Sequence, residues 1–113
     1  MPDLKGQNPM CLDQEWVDWF DAYMNQDTPD VNRLGIGYML QGGSPESNTD
    51  PYAERPTPDN EWMETVPPHL MIILPNREMY EGLPTDPDNG GPWVMWPDTP
   101  YAHIMVPTTG QQQ

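Results

Sequence analysis

The stretch Leu12-Asp-Gln-Glu-Trp-Val-Asp-Trp-Phe-Asp-Ala-Tyr-Met-Asn25 decides the fold. Leu12, Trp16, Trp19, Phe20, Tyr23 and Met24 recur at steps of three and four and make one apolar stripe, the mark of an amphipathic helix. Asp13 is placed to cap it by accepting from an orphan amide of the first turn, and Glu15 follows with the negative charge a helix N-terminus favours. Asp27-Thr-Pro-Asp30 is the expected stop, so the spacing predicts a helix over about 13–25. A stripe this rich in aromatics needs a sheet to cover it.

The next segment supplies one. In Leu34-Gly-Ile-Gly-Tyr-Met-Leu-Gln41 the residues Leu34, Ile36, Tyr38 and Leu40 alternate with Gly35 and Gly37, which reads as a strand whose glycine side another element, the helix, approaches closely. Beyond it, residues 42–60 are rich in Gly, Ser, Pro, Asn and Asp, without periodicity, and longer than most loops inside compact domains. From Glu61 to Pro107 the character turns to short strands fenced by prolines: a weak one over Trp62–Val66, then His69–Leu74, Trp93–Trp96 and Tyr101–Val106. The last two are separated only by Pro97-Asp-Thr-Pro100 and are expected to be antiparallel neighbours. Asn76–Leu83 suits a short helix or turn, Thr85–Pro92 is a dense turn signal, and 108–113 is expected to fray. The expectation is one α+β domain over 1–113: an N-terminal amphipathic helix packed on a small, mostly antiparallel sheet of four or five short strands, with Pro/Gly-rich loops.

Composition bounds the partners. Eighteen acidic residues against four basic ones give a formal charge of −14 in 113 residues. Lys5, Arg33, Arg55 and Arg77 are scattered and outnumbered, so the phosphate neutralisation that drives nucleic-acid binding has no footing. The same field repels anionic lipid, and the longest apolar run, His69–Leu74, is far shorter than the ~20 residues a spanning helix needs. The expected partner is therefore a protein or a neutral or cationic small molecule. Cys11 is the only cysteine, which removes internal disulfides and Cys-based zinc sites, and Asp3, Asp13 and Glu15 beside it oppose an activated thiolate. Sixteen prolines and nine glycines stay under the ~25–30% that marks a wholly disordered chain, which leaves disorder to the loops.

The strings Asn48-Thr-Asp-Pro-Tyr52, Pro68-His-Leu-Met-Ile72, Glu81-Gly-Leu-Pro-Thr-Asp-Pro87, Gly91-Pro-Trp-Val-Met-Trp96 and Thr99-Pro-Tyr-Ala-His-Ile-Met-Val-Pro107 together resemble a group of small exported bacterial proteins with no established activity. Members of that group carry an export signal and an upstream stretch in which a cysteine precedes the segment matching Met1-Pro-Asp3. The resemblance implies a periplasmic or secreted location, and a mature or truncated form in which Cys11 has lost a disulfide partner. It implies no catalytic residues.

Three constellations carry chemistry. His69-Leu-Met71 and His103-Ile-Met105 each put an imidazole and a thioether on the same side of a strand, and that soft donor set suits Cu(I) better than Zn(II), Ca(II) or Mg(II). Copper is accordingly the cofactor this pattern admits, with Trp93 and Trp96 near in sequence, although methionine is equally a flexible core filler. Asp50, Glu54, Asp59 and Glu61, with Tyr52 and Trp62 as stacking platforms, could serve a carboxylate-dependent hydrolase, against the plainer reading of a solvated acidic surface. Asp86-Pro-Asp-Asn89 offers oxygens for calcium but departs from the helix–loop–helix calcium pattern at Gly90. No nucleophile elbow or phosphate loop occurs, and Ser44 and Ser47 lie in the loop. The sequence thus predicts an exported acidic binding domain with Asp50, Tyr52, Asp59, Trp62, Trp93 and Trp96 as contact residues, a Cu(I) protein using His69, Met71, His103 and Met105 as the first alternative, and a hydrolase as the second.

Overall fold

The computed structural model describes residues 10–43, 45–64, 66–87 and 91–108. It holds one α-helix, α1 (Gln14–Met24), and seven strands: β1 (Cys11–Leu12), β2 (Gly35–Met39), β3 (Glu46–Ser47), β4 (Trp62–Met63), β5 (His69–Ile73), β6 (Trp93–Met95) and β7 (His103–Pro107). Five of them form an antiparallel sheet in the order β1-β2-β5-β7-β6, and β3 and β4 form a separate two-stranded ribbon. This is an α+β architecture. Among the described residues no helix is long and apolar enough to cross a membrane.

The start of α1 is tied to the sheet by one side chain. Asp13 caps the helix, with Oδ1 accepting from the Trp16 amide at 3.0 Å, while its Oδ2 accepts from the Ile36 amide at 2.7 Å. The cap thereby sets the helix over β2. At the other end Gln26 takes a left-handed φ of 58°, and Gln26 N donates to Tyr23 O while Asp27 N donates to Ala22 O. These are the paired bonds of a Schellman cap, so the helix stops before Asp27-Thr-Pro-Asp30 is reached. Trp16, Trp19, Phe20 and Tyr23 face inward, whereas Met24 is 68% exposed and Leu12 belongs to β1, so the stripe is narrower than the spacing suggests.

Close packing against β2 needs glycine at two positions. A Cβ on Gly35 would stand 2.8 Å from Ile73 Cγ1 and 2.9 Å from Glu15 Cβ, and one on Gly37 would stand 2.9 Å from Met71 Cε and 3.3 Å from Trp16 Cδ1. The helix can approach only because both side chains are missing. The opposite, outward face of β2 carries Leu34, Ile36, Tyr38 and Leu40, each more than a third exposed.

Strand pairing fixes which residues share the covered face. Gly35, Gly37 and Met39 lie opposite Ile73, Met71 and His69. Met71 lies opposite Met105 and His69 opposite Pro107, while Trp93 and Met95 lie opposite Met105 and His103. Directly opposed residues point to the same side of a sheet, so Met39, Met71, Ile73, Trp93, Met95 and Met105 form the core with the aromatic stripe of the helix, and His69 and His103 are buried beside them.

Segments expected to be plain loop are built differently. Residues 42–60 contain β3, and fully buried Asn48 is a junction there: its side-chain amide donates to Glu61 Oε1 at 2.7 Å and Thr85 O at 3.0 Å, and its Oδ1 accepts from Trp93 Nε1 at 2.9 Å. The strand expected over Trp62–Val66 shrinks to Trp62–Met63. Asn76–Leu83 contains a 3-10 helix over Arg77–Tyr80, and the Tyr80 hydroxyl accepts from Leu74 N at 2.8 Å. Thr108, in the expected frayed tail, donates its amide to Pro68 O at 2.9 Å, and 109–113 lie outside the described residues.

Candidate functional site

Between α1 and the sheet lies a cavity of about 390 Å3, a size typical of small-ligand sites. Its floor is the covered sheet face, with Met39, His69, Met71, Met95, His103 and Met105. Its roof is the helix stripe, and its mouth is formed by Glu46 with Asp50, Tyr52 and Glu54 on one side and Met24 and Gln26 on the other. No Lys or Arg lines it among the described residues.

The two imidazoles differ in surroundings. His69 is 1% exposed, and its Nδ1 lies 2.6 Å from Pro67 O. A carbonyl can only accept, so Nδ1 carries the proton and Nε2 of the neutral ring is a bare lone pair. Burial holds the His69 pKa below its ordinary 6.5, against the smaller opposing pull of the Pro67 carbonyl, and keeps the ring neutral. Nε2 is fully buried and meets no donor among the described residues. Such an orphan costs about 1–3 kcal/mol.

His103 is a wedge instead. Its ring stands edge-on to three indoles, Trp16 at 5.4 Å, Trp19 at 5.5 Å and Trp96 at 5.2 Å, and its Nδ1 lies 3.0 Å from Tyr101 O. Burial pushes its pKa down to about 4, the Tyr101 carbonyl working the other way and nearby His69 adding to the depression. The β5–β7 register puts Met71 opposite Met105, with His69 and His103 displaced toward opposite ends of that pair. The two His-X-Met strands are neighbours, but the imidazoles do not face each other across the ladder.

Stacked aromatics wall the cavity. Tyr52 lies on Tyr23 at 4.8 Å, Tyr23 on Trp96 at 5.5 Å and Trp96 on Trp19 at 6.1 Å, all within 9° of parallel. Hydroxyl bonds clip the mouth loop to the helix end: Tyr52 donates to Tyr23 O at 2.7 Å and Tyr23 donates to Pro51 O. Trp96 has a left-handed φ of 56°, a conformation costly for a bulky residue. It is held there by its amide on Asn48 O at 2.8 Å, its indole N–H on Ser47 O at 2.7 Å and the stack itself.

The structure thus brings Asp50, Tyr52 and Trp96 to one cavity with His69, Met71, His103 and Met105. It does not bring Asp59, Trp62 or Trp93 there. Trp93 is 2% exposed with its indole N–H committed to Asn48, so it is a core anchor rather than a contact residue. Trp62 lies on β4 and Asp59 in the exposed turn before it, whose amides and side chains bond within 55–60. Glu61 is engaged by Asn48, which separates it from Asp50 and Glu54 in role. Half of the calcium candidate, Asp88 and Asn89, lies outside the described residues. Among the described residues no three His, Cys, Asp or Glu side chains gather as metal ligands.

Sequence spacing missed Met39. Its period-two partnership with Gly35 and Gly37 was the available signal, since it places Met39 on the helix side, but only strand pairing sets it against His69. Comparison of the chain with protein-family models, curated proteins and solved structures gives no match.

Proposed function

We propose that the chain is an exported, acidic ligand-binding domain whose cavity takes a small cation or a small molecule bearing a cationic group. The observation that carries this reading is the buried His69 Nε2 lone pair, which has no donor among the described residues, on a residue that lines the cavity floor. The cavity is lined by electron-rich groups: thioethers on the floor, indole and phenol rings on the walls, and the carboxylates of Asp50 and Glu54 at the mouth. Aromatic faces attract cations by about 0.5–2 kcal/mol each, and a formal charge of −14 draws cations in and turns anions away. The export component rests on the family resemblance, and the mouth lies within the 42–60 segment expected to make contacts.

The test is the unfolding midpoint in a panel of matched ligands: Ag(I), Cu(I), guanidinium, tetramethylammonium and benzylamine, against neutral shapes such as neopentane-type alcohols and benzyl alcohol. A ligand of the native state at a hundred times its Kd stabilises by about 2.7 kcal/mol. Cations are expected to raise the midpoint and their neutral isosteres to leave it unchanged. Equal stabilisation by neutral isosteres, or none by any cation, overturns the reading.

A further inference from the structure

Resting on that reading, we propose that the cation is a soft monovalent metal ion, Cu(I), bound by His69 Nε2 together with the thioether sulfurs of Met39, Met71 and Met105.

The donor set follows from register. Met39 stands directly opposite His69 across β2 and β5, Met71 is two residues along the same face of β5, and Met105 stands directly opposite Met71 across β5 and β7. Directly opposed residues have Cβ atoms about 4.5–5.5 Å apart, within easy convergence for flexible methionine side chains. All four residues are at most 6% exposed and line the same cavity. Core filling accounts for methionines in such places, but it does not account for an unpaired imidazole lone pair among them.

The imidazole is also oriented as a metal ligand is. Its other nitrogen, Nδ1, donates to a backbone carbonyl, that of Pro67, which fixes the tautomer and leaves the Nε2 lone pair unspent. The four donors are neutral and three are soft, a set that selects Cu(I) over Zn(II), Ca(II) or Mg(II). A divalent ion would keep both charges in a buried site whose nearest carboxylates are at the mouth, and desolvating such a charge is expensive. A monovalent ion keeps one, and the indoles of Trp16, Trp19 and Trp96 line the same cavity. This set differs from the one the sequence suggests: Met39 takes the place of His103, which is packed edge-on against three indoles.

Cys11 needs separating from the site. It lies on β1 opposite outward-facing Tyr38, is exposed, and is not among the cavity-lining residues. An exposed thiol binds Cu(I) by itself, so the experiment uses the whole chain carrying Cys11→Ser.

The experiment is an anaerobic titration of that protein with Cu(I) against a chromogenic cuprous chelator, paired with Ag(I) titration followed by the methionine methyl signals in 13C NMR. One equivalent is expected to bind, and the methyls of Met39, Met71 and Met105 to shift while that of exposed Met79, which does not line the cavity, stays in place. His69→Gln is expected to weaken binding by about 100-fold or more, the upper end of what even outer-shell changes cost, and Met71→Leu, which nearly conserves volume, by about tenfold. If His69→Gln does not fold, the methyl map decides: a shift at Met79 in place of the three overturns the proposal. Binding that appears only when Cys11 is present, or that a folded His69→Gln leaves intact, also overturns it. Stabilisation by organic cations with no Cu(I) or Ag(I) binding overturns the metal assignment and leaves the cation-binding reading standing, whereas a null result for every cation overturns both.

Discussion

Met39 and His69 stand directly opposite each other across β2 and β5, on the face of the sheet that α1 covers. On the proposed reading, that neighbour relation makes His69 one end of a donor patch, because its Nδ1 is spent on Pro67 and its Nε2 is left as the buried lone pair. If the proposal holds, the buried orphan acceptor trades stability for a binding site. Replacing His69 with Phe removes the orphan, whose cost is about 1–3 kcal/mol, and loses one bond to the half-buried Pro67. The unliganded variant is expected to match the parent within about 1 kcal/mol by urea denaturation and to lose all cation-induced stabilisation. A loss of several kcal/mol without ligand would show that the imidazole is structural.

Asn48 is the junction that joins the ribbon, the sheet and the turn before β6. Asn48→Ala strands the Trp93 indole N–H, Glu61 Oε1 and Thr85 O, and each buried group left unpaired costs about 1–3 kcal/mol. The expected loss is about 2–4 kcal/mol, because Glu61 is exposed enough to find water. A shift in the urea midpoint worth under about 1 kcal/mol would contradict this role.

Much of this fold can be read from the chain. The aromatic stripe over 16–23 predicts the helix, and glycines alternating with apolar residues at 34–40 predict a strand that the helix approaches closely, because period and missing side chains are local properties. The proline fences likewise bound β5, β6 and β7 to within a residue or two. What cannot be read is long-range pairing. Asn48 looks like another polar turn residue until Trp93, 45 positions away, donates to it. The His-X-Met pattern is visible in the sequence, but the antiparallel register that offsets His69 from His103 and sets Met39 against His69 is a property of three strands together. Two-residue β1 and β3 carry too little periodicity to signal themselves.

The two glycines under the helix are expected to differ. At Gly35 the added methyl meets Glu15 Cβ at 2.9 Å, an atom fixed to the helix backbone, whereas at Gly37 its nearest neighbour is Met71 Cε at 2.9 Å, the far end of an unbranched side chain. Gly35→Ala is therefore expected to cost about 1–3 kcal/mol as overpacking, more than Gly37→Ala. The reverse order in thermal unfolding would mean that α1 sits differently on β2.

Stability is expected to fall on the alkaline side. Burial, followed by the phenol of Tyr52 and the carboxylate of Glu46, raises the Tyr23 pKa, and burial raises that of Tyr80 against the opposing Leu74 amide. In the unfolded chain both ionise near about 10. Above that pH the folded state holds more protons than the unfolded one, so the contribution is complete below about pH 10 and is lost as pH rises toward the folded values. Urea midpoints should decline above about pH 10 together with the rise of tyrosinate absorbance, and Tyr23→Phe should reduce the slope. A midpoint that stays level through that range would contradict the burial of these hydroxyls.

The most direct test of the account is the imidazole 15N spectrum of His69 before and after one equivalent of Ag(I) in the Cys11→Ser protein. The expected spectrum is that of a neutral ring protonated at Nδ1, with Nε2 in the unprotonated range, and a large upfield change at Nε2 alone when the ion is added. A ring protonated at Nε2, or an Nε2 signal unmoved while the ion binds, would contradict it.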